Sequence, residues 1–288
     1  MHKLLFCCLI GTLLPACTER IDILTDNAAQ RLVIYGKIST EAQAHTVSIT
    51  RSTGYFSTEK PEGVTDARVT LTGSDGTGYT LDHSENGNYN TPPGFSGQEG
   101  VTYHLEVTLD FDGDGTPETY EATSFLPPKA TIKGLRVVPS QAMKRVMEIQ
   151  LTVDLPEKQN GIPNAYNLHF FQNGKALNDS LKNFTIFDDE HIITQRLDTF
   201  ACYYLFEDEH DRKLQPGDSI AVIGDVITKE YADFLTEAQQ EIRGSIPLFS
   251  GPPADVRTNI RCREKNIPVA GFFTAFSQDK MTVVYHGD

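Results

Sequence analysis

The sequence predicts a mainly β protein: an antiparallel sandwich, then a second β-rich domain interrupted by one amphipathic helix. Three observations carry this. Short runs alternate apolar and polar residues with a period of two, the mark of a strand with one buried face. Gly, Asp, Asn and Pro cluster between these runs, where turns need them. Only one stretch, about 228–243, has helical spacing.

The elements follow in order. Residues 31–38 are β-rich and apolar on both faces, and 45–51 alternate strictly, with Val47 and Ile49 on one face. Residues 68–72 alternate as well and run into the turn Gly73-Ser74-Asp75-Gly76, after which 79–81 return. In 101–109, Tyr103, Leu105, Val107 and Leu109 face one way and Thr102, His104, Glu106 and Thr108 the other. Paired prolines at Pro127-Pro128 read as a boundary, giving a first domain over 31–127 and a second over 128–288. The second contains strand candidates at 130–138, 146–155, 167–172, 184–187, 201–206 and 219–227, and two closing strands at 269–276 and 281–285. Between them Tyr231, Phe234, Leu235, Ala238 and Ile242 form one apolar stripe. Thr228 suits an N-cap, Glu230 and Asp233 the positive end, and Gly244 the stop.

The first residues set an address. Met1-His2-Lys3 is a positive start, and 4–14 is an apolar run too short to cross a bilayer of about 30 Å as a helix. That is the layout of a secretory signal peptide. Leu14-Pro15-Ala16 directly before Cys17 resembles a bacterial lipoprotein signal, which implies cleavage after residue 16 and a lipid on Cys17. Residues 17–30 then read as a tether. The net charge of −14, with no basic cluster, excludes nucleic acid as a partner. With no second long apolar run, membrane contact is expected through the lipid alone. Cys202 and Cys262 remain beyond the signal and Cys17 and are expected to form a disulfide, as in exported proteins.

The chemistry-bearing candidates are few. Residues 110–121 fit the EF-hand pattern, so Asp110, Asp112, Asp114, the Thr116 carbonyl and Glu121 form a candidate calcium set. Flanking strands and Pro117 oppose this, and a bare hairpin turn is the other reading. Pro216-Gly217-Asp218-Ser219 resembles the Gly-Asp-Ser start of a hydrolase family, but a β-rich run follows and His286 is the only late histidine, so it reads as a turn. Asp189-Glu190-His191 and Asp208-Glu209-His210-Asp211 read as solvated loops. There is no His-Glu-x-x-His, phosphate loop or Cys-x-x-Cys, so no enzyme is expected. Ser180 and Ser219 lie in Asp-Ser-aliphatic triplets that resemble the O-glycosylation signal of Bacteroidota exported proteins.

A family resemblance rests on several stretches in fixed order. They are Leu32-Val33-Ile34-Tyr35-Gly36-Lys37-Ile38, then 47–52 with Tyr55-Phe56, then 67–71, Gly87-Asn88-Tyr89, Phe95-Ser96-Gly97 and 100–105. Leu248-Phe249, Pro252-Pro253, Asn259-Ile260 and Gly271-Phe272-Phe273 follow near the end. Together they resemble a Bacteroidota lipoprotein family known as domain of unknown function four-two-four-nine, with Phe272 standing where the family has Tyr. The resemblance implies an immunoglobulin-like first domain, no established catalytic residues, and genes often placed beside a TonB-dependent receptor. The expected function is therefore an accessory lipoprotein of the outer membrane, on its periplasmic or cell-surface side. It would bind substrate for, or dock on, a TonB-dependent nutrient-uptake system. A surface adhesin or fimbria-like structural protein is the alternative.

Overall fold

Alternation buries every second side chain, and the first seven strands use it to close one core. The computed structural model describes residues 30–54, 57–206, 213–244 and 256–287. β1 (Leu32–Ser39), β2 (Thr46–Arg51), β3 (Arg68–Gly73), β4 (Gly78–His83), β5 (Asn88–Asn90), β6 (Thr102–Leu109) and β7 (Glu118–Phe125) pair in the order β1-β2-β5-β4-β3-β6-β7. That is an immunoglobulin-like order: the first, second and fifth strands make one layer and the third, sixth and seventh the other, with β4 paired to both β3 and β5. Leu32, Ile34, Val47, Ile49 and Tyr89 meet Val69, Leu71, Leu105, Val107 and Tyr120 between the layers, none more than 1% exposed. The buried hydroxyl of Tyr89 is satisfied locally, donating to the Val64 carbonyl and accepting from the Ala67 amide, both at 3.0 Å.

The second half repeats the plan. β8 (Thr131–Pro139), β9 (Val146–Asp154) and β13 (Arg196–Phe206) form a sheet in the order β13-β9-β8. Facing it are β10 (Ala165–Gln172), β14 (Ser219–Ile227) and β16 (Val269–Val284), with the short β11 (Lys175–Ala176) and β12 (Thr185–Asp188) on the outer edge of β10. β8, β9 and β13 thus stand as first, second and fifth strands, and β10, β14 and β16 as third, sixth and seventh. Ile149 and Leu151 pack against Leu168, Phe170, Ile220 and Val222, and Phe170 stacks on Tyr203 with ring centroids 4.5 Å apart. The helix α1 (Lys229–Gly244) is an insertion between the last two strands. Thr228 caps it, its Oγ1 accepting the Tyr231 amide at 3.2 Å, and Tyr231 and Leu235 bury against Ile227 and Phe272.

The chain leaves the first sandwich after β7 and later returns to it. The two predicted closing strands are one strand of sixteen residues, β16. Its first half pairs in parallel with β1, from Leu32↔Val269 to Ser39↔Phe276. Its second half pairs antiparallel with β14, from Val226↔Ser277 to Ser219↔Val284. Nothing in 272–284 is Gly or Pro, so nothing interrupts the strand. β15 (Arg261–Cys262) also returns, to pair with β7, and Ile260, Phe273 and Ala275 sit in the first core. The first sandwich is therefore completed from the far end of the chain.

Gly271 permits this return. Its φ is +98°, and a Cβ there would lie 2.0 Å from the Ile34 carbonyl oxygen. Gly271→Ala is expected to lower the unfolding free energy by about 2 kcal/mol or more. Gly224→Ala is the control: its methyl would make ordinary contacts with Leu168 at 3.5 Å and Ile132 at 3.8 Å. The change there should stay within about 1 kcal/mol of neutral, on the stabilising side. Urea denaturation of the two variants reads both.

Candidate functional site

The β6–β7 hairpin gathers carboxylates, though not the predicted set. Asp110 accepts the Gly113 and Gly115 amides, each at 2.8 Å, Asp112 accepts the Asp114 amide at 3.2 Å, and Asp114 accepts the Thr116 amide at 2.8 Å. Glu118 opens β7 facing inward and is fully buried. One of its oxygens accepts the Phe111 amide at 3.2 Å, and the other meets the Lys265 ammonium at 2.5 Å. Oxygens of Asp110, Asp112 and Glu118 lie within 4.8 Å of one another. Asp112, Asp114 and Glu118 share a cation of this chain: Lys265 Nζ also donates to Asp112 at 2.9 Å and Asp114 at 3.2 Å. Glu118, then Asp112, push the Lys265 pKa well above its usual value. Lys265 in turn draws Asp112 low, while the Thr116 amide, then Lys265, draw Asp114 low.

Glu121 is not a ligand in this arrangement. Alternation along β7 turns Glu118 inward and Glu121 outward, where it pairs with Arg261 and Arg263, each at 2.9 Å. The EF-hand spacing works in a curled loop, and here the strand has already begun at Glu118. Asp110, Asp112, Asp114, Thr116 and Glu121 are therefore not assembled around one point. Lys265 was invisible to local reading because it lies far downstream of the hairpin.

The disulfide does not form: Cys202 and Cys262 are both free. Cys202 is in β13 and packs on the second core, its Sγ donating to the Ile149 carbonyl at 3.2 Å. Cys262 is in β15, opposite Tyr120 on the first sandwich. Counting two cysteines as a pair took no account of β15 crossing back to the other sandwich. Burial pushes the Cys202 thiol up to about 12.

Ser219 opens β14 and is locked to Asn173 through its own amide, 2.9 Å, and carbonyl, 2.8 Å. Gly217 beside it has φ +98°, so Pro216-Gly217 is a turn into a strand and not a strand-to-helix elbow. Ser180 is half-buried before a short 3-10 turn at Leu181–Asn183. Cys17, the tether up to residue 29, the 208–211 cluster, Tyr55-Phe56, Leu248-Phe249 and Pro252-Pro253 lie outside the described residues.

Asp189 departs from its expected solvated loop. It is 2% exposed and accepts the Asn164 amide at 2.8 Å, Asn164 Nδ2 at 2.9 Å and the Tyr166 hydroxyl at 2.9 Å, with Lys158 3.9 Å away. Lys158 also donates to the carbonyls of Glu190 and Ile192, at 3.2 and 3.1 Å. These bonds pin the 155–164 and 189–195 loops at one end of the second sandwich, around a cleft of about 460 Å³ with mixed polar and apolar walls. Glu190 and His191 are exposed, as expected. A second polar group escaped sequence reading: His169 Nε2 lies 2.9 Å from Asp225, and Gln278 donates to the same carboxylate at 2.7 Å, across β10, β14 and β16. Its only local signal is polar residues at alternate positions of a strand, Asn167 and His169.

Lys265→Met is expected to destabilise the fold, because Glu118 stays buried without its cation. Adding Glu118→Gln should recover part of the loss. The depressed carboxylates of Asp112 and Asp114 contribute stability that is complete above the ordinary carboxylate range and is lost as pH falls through their folded values. Denaturation between pH 3 and pH 7 should therefore show the native chain weakening below about pH 4, and the Lys265→Met chain weakening less steeply. In the native fold, alkylation followed by mass spectrometry should label Cys262 well before Cys202, with no bridged peptide.

A family model described as a domain of unknown function (DUF4249) matches residues 18–282. No curated protein matches significantly. Among solved structures, a DUF4785 family protein from Legionella pneumophila is 12% identical with a TM-score of 0.27, covering 66% of this chain and 50% of its own. This chain thus spans half the length of that protein. A segment of two fibronectin type-III domains from chicken tenascin is 13% identical with a TM-score of 0.21, covering 68% of this chain and 90% of its own. The family match runs from just past Cys17 almost to the end of β16, and on that extent the protein belongs to the family described as Domain of unknown function (DUF4249).

Proposed function

We propose that the protein is an accessory lipoprotein held to the outer membrane by a lipid on Cys17, and that it binds or docks on a TonB-dependent nutrient-uptake receptor. The observation that carries this reading is the N-terminal stretch: a positive start, a short apolar run and Leu14-Pro15-Ala16-Cys17. The folded strands begin soon after, at Leu32, which suits a short tether. No described helix is long and apolar enough to cross a membrane, so the lipid would be the attachment. Two sandwiches sharing one strand offer firm surfaces and pinned loops, and we read the chain as a binding protein and not as an enzyme.

Cys17→Ala is expected to abolish incorporation of labelled palmitate and to move the protein from the membrane to the soluble fraction. Purification of the native chain in mild detergent should bring a β-barrel receptor with it in near-equal amount. Persistent labelling of the variant would end the lipoprotein reading, and recovery of the chain alone would end the docking half.

A further inference from the structure

β16 outruns its neighbour. β1 stops at Ser39, opposite Phe276, while β16 continues from Ser277 to Val284 with β14 on one side only. Among the described residues no strand covers the other edge of this stretch. The Tyr285 amide donates to Asp218, on the β14 side, and the Gln278 amide donates to Thr40 Oγ1, on the β1 side. Alternation therefore places the backbone amides and carbonyls of Lys280, Thr282 and Val284 on the open edge. Among the described residues β8 in the facing sheet is also paired on one side only, with β9. Asp279 accepts the Ile132 amide at 2.8 Å and ties the two edges at one level. Beyond that tie lies a groove of about 310 Å³, lined mainly by Leu135, Val137, Val138, Val283, Val284 and Tyr285. Val284 is 49% exposed there.

Charge identifies the occupant. The whole chain is at −14, yet Lys133, Arg136, Lys144, Arg145 and Lys280 on β8, on the β8–β9 turn and on β16 outnumber Glu148, Asp154, Asp279 and the Asp218 beside Tyr285, with Lys133 itself 3.6 Å from Asp154. A second copy of the chain would bring the same cations to the edge, and like charges oppose self-pairing. An acidic strand meets no such opposition. The groove also lies far from the start of β1: β16 begins beside Leu32 and rises about 50 Å to its other end.

We propose that this edge accepts an extended acidic segment of a partner polypeptide as an added strand. Its backbone would pair with Lys280, Thr282 and Val284, and alternate apolar side chains would enter the groove. The proposal rests on the docking reading above and gives it a surface and a partner chemistry.

The test uses the ¹⁵N-labelled full chain in detergent and three synthetic peptides. One is acetyl-Asp-Val-Thr-Val-Asp-Val-Asp-amide, one has the same composition with the alternation removed, and one has Lys in place of Asp. The alternating acidic peptide should slow hydrogen exchange at the Lys280, Thr282 and Val284 amides at least tenfold, more strongly at low salt. The other two peptides should leave those amides unchanged. Thr282→Pro removes an outward amide that the β14 ladder does not use, and should abolish the effect. Should that variant fold poorly, Arg136→Glu with Lys280→Glu should shift the preference to the Lys peptide. Unchanged exchange at millimolar peptide, or equal protection by the reordered peptide, overturns the proposal. So does peptide-free dimerisation through the same amides, which would make the occupant a second copy. Receptor recovery with native and Thr282→Pro chains separates the two readings: a receptor that still binds the variant overturns the edge proposal and leaves docking intact.

Discussion

The parallel pairing of β1 with the first half of β16 is the constraint on which both sandwiches depend. Parallel neighbours need a crossover connection, and this one is nearly the whole chain. Phe273 and Ala275 sit in the first core, and Phe272 lies under α1, because β16 returns beside β1. Closing a loop of that length costs entropy before the β1–β16 ladder returns contacts. Gly271 is the local condition for it, since a side chain there would collide with the backbone of β1.

Strong local patterns survived the passage from sequence to structure, and long-range ones did not. Alternation over 101–109 gave β6 with its inward face correct, and the stripe from Tyr231 to Ile242 gave α1 within a residue at each end. The two predicted closing strands left a gap at 277–280, where Ser277-Gln278-Asp279-Lys280 are polar. Their reasons are tertiary: Gln278 donates to Asp225, and Asp279 crosses to the Ile132 amide of the facing sheet. The second sandwich was legible as strands but not as an immunoglobulin order, because that order depends on which strands pair.

The acidic hairpin shows the same limit in the site chemistry. The sequence announces a need for positive charge among Asp110, Asp112, Asp114 and Glu118 but not its source. A lysine on the returning chain supplies it, and a buried carboxylate makes that partner necessary in a way that the exposed Arg261 and Arg263 pairs are not. Asp189 is a second case: a residue in an acidic tripeptide is buried because Asn164 and Tyr166, earlier in the chain, offer it three donors.

The sixteen residues of β16 also determine how the molecule bears load. Tension between the start of β1 and the far end of β16 pulls these two strands past each other along their length. Every rung of the parallel ladder then shares the force at once, as in a lap joint. Peeling, in which rungs yield one after another, is excluded by that direction of pull. A protein tethered at one end and gripped at the other would hold its two sandwiches in line under such a pull.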